Sequence, residues 1–274
     1  CKYINIIWND FKFNKKKNES ANMKKKILIS TGGSGGHVIP ATTIYDHLKN
    51  NFEVIISTDV RGLNYLEVEK HKIFEIDTPK LNKSILLPYR ILKVFFLTLK
   101  SLLLFKKQKI QILISTGGYM SLPLCFAAKI SGIKIFLLEP NMVIGRANKF
   151  FLNFCEKIIC YSNKIIKFPN RYKNKIVISN PLIRKKYYEK NSKENIDKVF
   201  TLMIVGGSQG AKIFDEIIHE SILKISQTNS LKIIHQTNKK NIDFLRNFYS
   251  ENKIENMVFN FDQNLDLLLN QSDR

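Results

Sequence analysis

Acidic side chains are scarce in this sequence: 23 Asp and Glu stand against 44 Lys and Arg in 274 residues, a formal charge of +21. Such a field attracts polyanions, whether nucleic acid, anionic lipid or phosphorylated substrates. Lys, Asn and Ile crowd the whole chain, as codon bias in an A/T-rich genome would produce, so only locally one-sided charge carries functional weight. Cys1, Cys125, Cys155 and Cys160 form no CxxC pair and have no neighbouring His pair. That argues against a zinc site or a disulfide framework and favours reduced, buried thiols of the cytosolic kind. Long hydrophobic runs are missing as well. No stretch reaches the roughly 18 apolar residues of a membrane span, and residues 4–8, interrupted by Asn5, are too short for a signal-peptide core. A soluble or peripheral protein is expected.

What is present is alternation. From Lys26 onward, short β-branched runs alternate with helical stretches, the signature of a parallel α/β sheet. Strands are expected at 27–30, 53–57, 73–76, 110–115, 134–138, 157–161 and 175–178, enough for one doubly wound domain. A second series is expected at 199–205, 231–235 and 257–261, with helices over 211–225 and 240–249. The length is about twice a common domain, which suits this division. Residues 1–22, rich in Lys and Asn and without periodicity, read as a disordered or non-native extension, with Met23 as the expected start. Residues 23–180 form the first domain, 181–198 the linker, and 199–274 a partial second domain. Because the chain stops directly after a helical pattern (Leu265, Leu267, Leu268, Leu269), a fragment is expected.

One segment is repeated. Ile27-Leu-Ile-Ser-Thr-Gly-Gly33 recurs residue for residue as Ile112-Leu-Ile-Ser-Thr-Gly-Gly118, with Met203-Ile-Val-Gly-Gly207 a looser third copy. Each reads as a buried strand ending in glycines at the carboxyl edge of a sheet, where α/β proteins bind ligands. The first loop continues as Ser34-Gly35-Gly36-His37 into a helix with Pro40 expected in its first turn. Glycines admit an anion to backbone N–H groups and the helix N-terminus adds a favourable dipole. The loop fits neither the dinucleotide fingerprint, since Val38 stands where glycine is needed, nor the P-loop, which needs Gly-Lys-Ser/Thr. His37 adds a group suited to general-base work. The third loop, Gly206-Gly-Ser208-Gln-Gly-Ala211, offers amides and a hydroxyl suited to a diphosphate without a metal. Glu139-Pro140-Asn141 closes a buried strand and on its own reads as a turn.

Taken together, Gly32–Pro40, Gly117-Gly-Tyr119, Glu139-Pro-Asn141, Asn180-Pro181 with Arg184, and Gly206–Ala211 resemble, in order and approximate spacing, the MurG family of N-acetylglucosaminyltransferases that convert lipid I to lipid II. The resemblance implies a GT-B glycosyltransferase of two Rossmann-like, doubly wound parallel-sheet domains, the second incomplete here. It implies an inverting transfer of N-acetylglucosamine from UDP-N-acetylglucosamine to the 4-hydroxyl of the acceptor's N-acetylmuramoyl unit, with no metal and no cofactor. Family positions place donor contacts at Ser34, Gly35, Gly36, Asn141, Arg184, Ser208 and near Asp262, and catalytic groups at His37, the first choice of general base, and Glu139, the second choice or a carboxylate that contacts the acceptor or assists the base. Three departures are visible. Pro140 stands where the family usually has Gln, Arg184 is displaced by one residue, and the family's acidic ribose contact and Gln-containing sugar motif are not in this sequence, so the chain alone is expected to be inactive. The rival readings are another GT-B enzyme moving a sugar from a UDP-sugar to a different lipid, a non-catalytic remnant, and a basic nucleic-acid-binding protein. The last needs basic and aromatic residues interleaved on one face, whereas Lys here is spread throughout, so no nucleic-acid partner is expected.

Between Asp77 and Glu139 there is no acidic residue. Residues 81–105 are rich in Ile, Leu and Phe and punctuated by Lys83, Arg90, Lys93 and Lys100, with Lys106, Lys107 and Lys109 following. A helix is expected from about residue 89 to 106, with Ile91, Phe95 and Leu99 contributing to its core face. The remaining apolar residues, ringed by lysine, read as an interfacial patch for an anionic membrane surface. This leads to the expectation of a peripheral protein on the cytoplasmic face of the bacterial inner membrane, where lipid I would be met.

Overall fold

The computed structural model describes residues 24–184, 199–206, 212–260, 262 and 265–273. Residues 1–22, most of the expected linker and Ser208 therefore lie outside the described residues. Two compact units divide the chain between Ile183 and Arg184.

The first unit carries seven strands: β1 (Lys26–Ser30), β2 (Glu53–Thr58), β3 (Ile73–Glu75), β4 (Ile112–Ser115), β5 (Lys134–Glu139), β6 (Lys157–Cys160) and β7 (Ile176–Ile178). Every pairing is parallel, in the order β3-β2-β1-β4-β5-β6-β7. Burial on both faces accounts for the nearly unbroken apolar runs. Leu28, Leu113, Ile135 and Leu137 face one core, while Ile27, Ile29, Ile112, Ile114, Phe136 and Leu138 face the other. The repeated heptapeptides are neighbours: Ile27 pairs with Ile112, Leu28 with Leu113, Ile29 with Ile114 and Ser30 with Ser115. Strand order reverses between β1 and β4, and such switch points are where open α/β sheets bind ligands.

Two expectations need correction in this unit. The helix after β1 spans Gly35–Leu48, so Pro40 sits in the second turn rather than the first. The long crossover helix spans Leu87–Gln108, with Pro88 in its first turn and Lys109 closing it in the left-handed region. Its buried positions are Val94, Thr98, Ser101 and Phe105, whereas Ile91, Phe95 and Leu99 are exposed. Thr98 and Ser101 tolerate burial because their hydroxyls donate to the Val94 and Leu97 carbonyls. Cys125, Cys155 and Cys160 are free and buried; burial pushes their thiols up to about 12, 11 and 12.

The second unit contains three described strands, β8 (Phe200–Val205), β9 (Leu231–Gln236) and β10 (Glu255–Phe259), parallel in the order β10-β9-β8. Ile204, Ile222, Ile233, Leu245, Tyr249 and Val258 form its core. The helix expected over 211–225 is two pieces, Lys212–Ile217 and His219–Ser226. They are anchored differently, the first by the buried Asp215 carboxylate and the second by Ile222 in the core.

Candidate functional site

At the carboxyl ends of β1 and β4 the two glycine loops leave the sheet side by side. Thr116 N donates to Ser30 O at 3.0 Å, and the Thr116 hydroxyl donates to that of Thr31 at 2.9 Å. His37, the third residue of the Gly35–Leu48 helix, reaches across the switch point, its Nδ1 lying 2.7 Å from the Thr116 carbonyl. A carbonyl only accepts, so this bond places the neutral imidazole's proton on Nδ1 and leaves the Nε2 lone pair unprotonated. Nε2 lies beside Gly118, whose φ of +82° is open to glycine and where a Cβ would stand 2.4 Å from the Met120 sulfur. Ser34 is the residue before the helix, and its side chain makes no capping bond. The first-turn amides, Gly35 and Gly36 among them, have no intrahelical acceptor by the geometry of any helix start.

Asp59, at the end of β2, braces the first loop. Only 2% exposed, it accepts at Oδ1 from Gly33 N at 2.7 Å and Gly62 N at 3.0 Å. Its Oδ2 holds Arg61 through Nε at 3.1 Å and Nη2 at 2.8 Å, and Arg61 donates onward to the Tyr119 hydroxyl. Gly32 (φ +146°) passes so close that a Cβ there would stand 2.6 Å from Asp59 Oδ1. Burial raises the Tyr119 phenol above its ordinary value, so it stays protonated. The two glycine loops are thus tied by a carboxylate, a guanidinium and a phenol in series.

Glu139 closes β5 and is 2% exposed. Its Oε1 accepts from Asn141 N at 3.3 Å and Nδ2 at 3.1 Å; its Oε2 accepts from Gly145 N at 2.7 Å and Asn148 Nδ2 at 3.0 Å. Asn148 Nδ2 also donates to Leu138 O at 2.9 Å. The carboxylate therefore folds the 140–148 turn around itself.

These groups line a cleft of about 590 Å³ within the first unit, in which His37, Gly117, Gly118, Tyr119, Glu139 and Asn141 meet. Lys80 and Arg146 also border it. The structure brings His37, Glu139 and Asn141 into one cleft, with Ser34, Gly35 and Gly36 at the start of the helix that carries His37. Arg184 opens the second unit, and Asp262 lies half-buried just past β10. Asp59, Arg61, Asn148, Lys80 and Arg146 were not read from the sequence. Asp59 had the clearest signal, a carboxylate directly after a buried strand at the sheet's carboxyl edge. Among the described residues, no group of three His, Cys, Asp or Glu is placed to hold a metal ion.

In the second unit, Gly206, Thr237 and Asn260 follow β8, β9 and β10 at the carboxyl edge, and Asn260 Nδ2 donates to Thr237 O at 2.9 Å. Beneath them runs a buried polar chain. Asp215 Oδ2 accepts from Thr237 Oγ1 at 2.7 Å and Asn241 Nδ2 at 2.6 Å, and its Oδ1 faces His235 Nε2 at 3.3 Å. His235 Nδ1 lies 2.8 Å from the Tyr249 hydroxyl. Burial lowers the His235 pKa below its ordinary value and raises that of Tyr249, so both are neutral near pH 7.

Residues 27–160 match the glycosyltransferase family 28 N-terminal domain, and residues 201–273 match the glycosyltransferase family 28 C-terminal domain. The chain belongs to glycosyltransferase family 28. A relative from Pelagibacter ubique (strain HTCC1062) is 46% identical over 252 residues, covering 92% of this chain and 71% of that protein. It is named UDP-N-acetylglucosamine--N-acetylmuramyl-(pentapeptide) pyrophosphoryl-undecaprenol N-acetylglucosamine transferase. Among solved structures, Acinetobacter baumannii MurG superposes with a TM-score of 0.62 at 20% identity, over 91% of this chain and 71% of that one. A glycosyltransferase from Rickettsia africae ESF-5 gives 0.67 at 14% identity, over 92% and 72%. At these identities the structural likeness is one of fold. With both family 28 domains matched, the fold expectation stands: α/β, of GT-B type, with parallel-sheet units.

Proposed function

We propose that this family 28 chain moves N-acetylglucosamine from UDP-N-acetylglucosamine to the 4-hydroxyl of the N-acetylmuramoyl unit of lipid I, giving lipid II. The observation that carries the reading is the His37 Nδ1–Thr116 carbonyl bond, which turns an unprotonated Nε2 toward the cleft at the switch point. The name of the 46% relative supports the substrates. In the reaction, Nε2 takes the proton of the attacking hydroxyl as its oxygen displaces UDP from the opposite face of the anomeric carbon. Negative charge gathers on the departing diphosphate, and amides of the glycine loops and helix starts are suited to stabilise it. In this reading Ser34, Gly35, Gly36, Asn141, Arg184, Ser208 and Asp262 are the donor-binding residues. Glu139 is a positioning residue in this reading: with its oxygens committed to Asn141, Gly145 and Asn148, it holds Asn141 at the cleft rather than taking a proton. The enzyme works as a peripheral protein on the cytoplasmic face of the inner membrane, with the exposed side of the Leu87–Gln108 helix against anionic lipid.

The test measures lipid II formed from labelled UDP-N-acetylglucosamine and lipid I, by the chain as given and by the chain joined to the remaining C-terminal portion of the Pelagibacter relative. Product is expected from the joined protein. His37→Ala should lower its kcat by about 10²–10⁴ with little change in KM for the donor. Transfer to a different lipid in preference to lipid I, or full turnover without the imidazole, would overturn the reading.

A further inference from the structure

The two sides of the His37 ring are held unequally. Its Nδ1 is fixed to the sheet, because Thr116, whose carbonyl it meets, bonds through its own N–H to Ser30 of β1. Nε2 faces Gly118 instead, and there the chain has left β4 for a single 3₁₀ turn, Tyr119–Ser121. Where that turn sits decides what space Nε2 opens on. Met120, 2% exposed, lies across both glycine loops: a Cβ on Gly33 would stand 2.7 Å from its Cε, and one on Gly118 would strike its sulfur. Gly33 and Gly118 have φ of +80° and +82°, so the methionine fills space that only glycine leaves free. Tyr119, one residue earlier, is tethered through its hydroxyl to Arg61, whose guanidinium carbon lies 5.5 Å from the centre of the phenol ring. Arg61 is anchored in turn on Asp59 Oδ2, while Asp59 Oδ1 holds Gly33 N. One buried carboxylate thus fixes Gly33 directly and the facing turn through Arg61. The Arg61 side chain is 46% exposed and outside the lining of the cleft, so core packing does not account for its placement.

We infer that Arg61 is a positioning residue for the transfer: through Tyr119 it seats the turn at residues 118–121 against Gly33 and so frames the Nε2 side of His37. The inference rests on the role given to His37 under Proposed function and extends it to a side chain that lies outside the cleft. Arginine suits the task, since its planar fork holds the carboxylate by two N–H groups while one of them also reaches the phenol.

Backbone 15N relaxation on the 274-residue chain reads the turn, and kcat of the joined protein reads the chemistry. Arg61→Ala is expected to take the order parameters of the Gly118 and Tyr119 amides from about 0.85 to below about 0.6. It should lower kcat by about 10–10²-fold with donor KM within about twofold. About 20 mM guanidinium chloride, far below denaturing concentrations, should restore both readings, and sodium chloride at the same concentration should restore neither. Tyr119→Phe should resemble Arg61→Ala, and the double variant should be no slower than either, because the two side chains act as one unit. Glu53→Gln, which breaks the ion pairs with Lys26 and Lys72 at the far end of β2, controls for general loosening and should leave turn and kcat unchanged. A turn that stays rigid in Arg61→Ala, full turnover despite a loosened turn, losses that guanidinium does not restore, additive losses in the double variant, or the same loosening in Glu53→Gln overturns the positioning role and leaves the transferase reading standing. A joined protein that makes no lipid II with Arg61 in place overturns the transferase reading and the positioning role with it.

Discussion

At the scale of single residues, the division of labour proposed for His37 and Glu139 rests on what each atom touches. The imidazole has one nitrogen anchored to Thr116 and one facing the cleft, while both oxygens of Glu139 accept from the turn it organises. Glu139→Gln therefore sets an amide NH2 against a neighbouring donor, at a cost of about 1–3 kcal/mol. The variant should lower the thermal midpoint of the first unit, whereas His37→Ala should leave it nearly unchanged; scanning calorimetry distinguishes the two. The position of His37 at the switch point was legible from the sequence because it follows a glycine loop directly. The Asp59–Arg61–Tyr119 brace was not, because Asp59 and Tyr119 are brought together only by the pairing of β2, β1 and β4, and no local pattern encodes that. Glu139 was legible as a turn residue, but the partners that saturate it, Gly145 and Asn148, lie too far along the chain to be assigned by spacing.

At the scale of elements, the Leu87–Gln108 helix shows what periodicity leaves open. So many of its positions are apolar that several stripes fit a helical period, and the sequence reading put Ile91, Phe95 and Leu99 on the core face. The structure buries instead the stripe with Thr98 and Ser101, whose small size and self-satisfied hydroxyls suit close packing. Exposed Phe95, Phe96, Leu99 and Leu103 are thereby left on the outside among lysines. Liposome sedimentation should show binding to phosphatidylglycerol vesicles that weakens with added salt and with Lys93→Glu, Lys100→Glu and Lys106→Glu combined. Each basic residue near such a surface contributes on the order of 1 kcal/mol, so the triple variant should lose most of the binding at 0.15 M salt. The strands were the most legible elements, since burial on both faces forces continuous β-branched runs. Their ends moved by a residue or two where strand gives way to loop.

At the scale of the whole molecule, the two units should respond differently to acid. His235 is packed among Asp215, Tyr249 and His219, and burial holds its pKa below the ordinary 6.5. Unfolding frees it to take up a proton once the pH falls below 6.5, so its contribution is complete above that value and is lost as the pH falls toward the folded pKa. The limiting slope for one proton is about 1.4 kcal/mol per pH unit. The melting transition of the second unit should accordingly fall between pH 7.5 and 5.5, and His235→Gln should flatten that dependence. The pairing of the two heptapeptides in the first unit bears on a different matter, the route by which the sheet is assembled. Over the four identical residues β2 finds the same complementary surface on β4 as on β1, and side chains mark the native partner only at the strand start, where Lys26 pairs with Glu53 and the position ahead of β4 holds Gln111. The second discriminator is chain entropy: residues 59–111 separate β2 from β4 whereas residues 31–52 separate β1 from β2, and each doubling of a loop costs about 0.6 kcal/mol. The margin is narrow, so mispaired β2·β4 encounters are a built-in competitor during refolding. They are resolved when the Leu87–Gln108 crossover docks and leaves β4 only its native place.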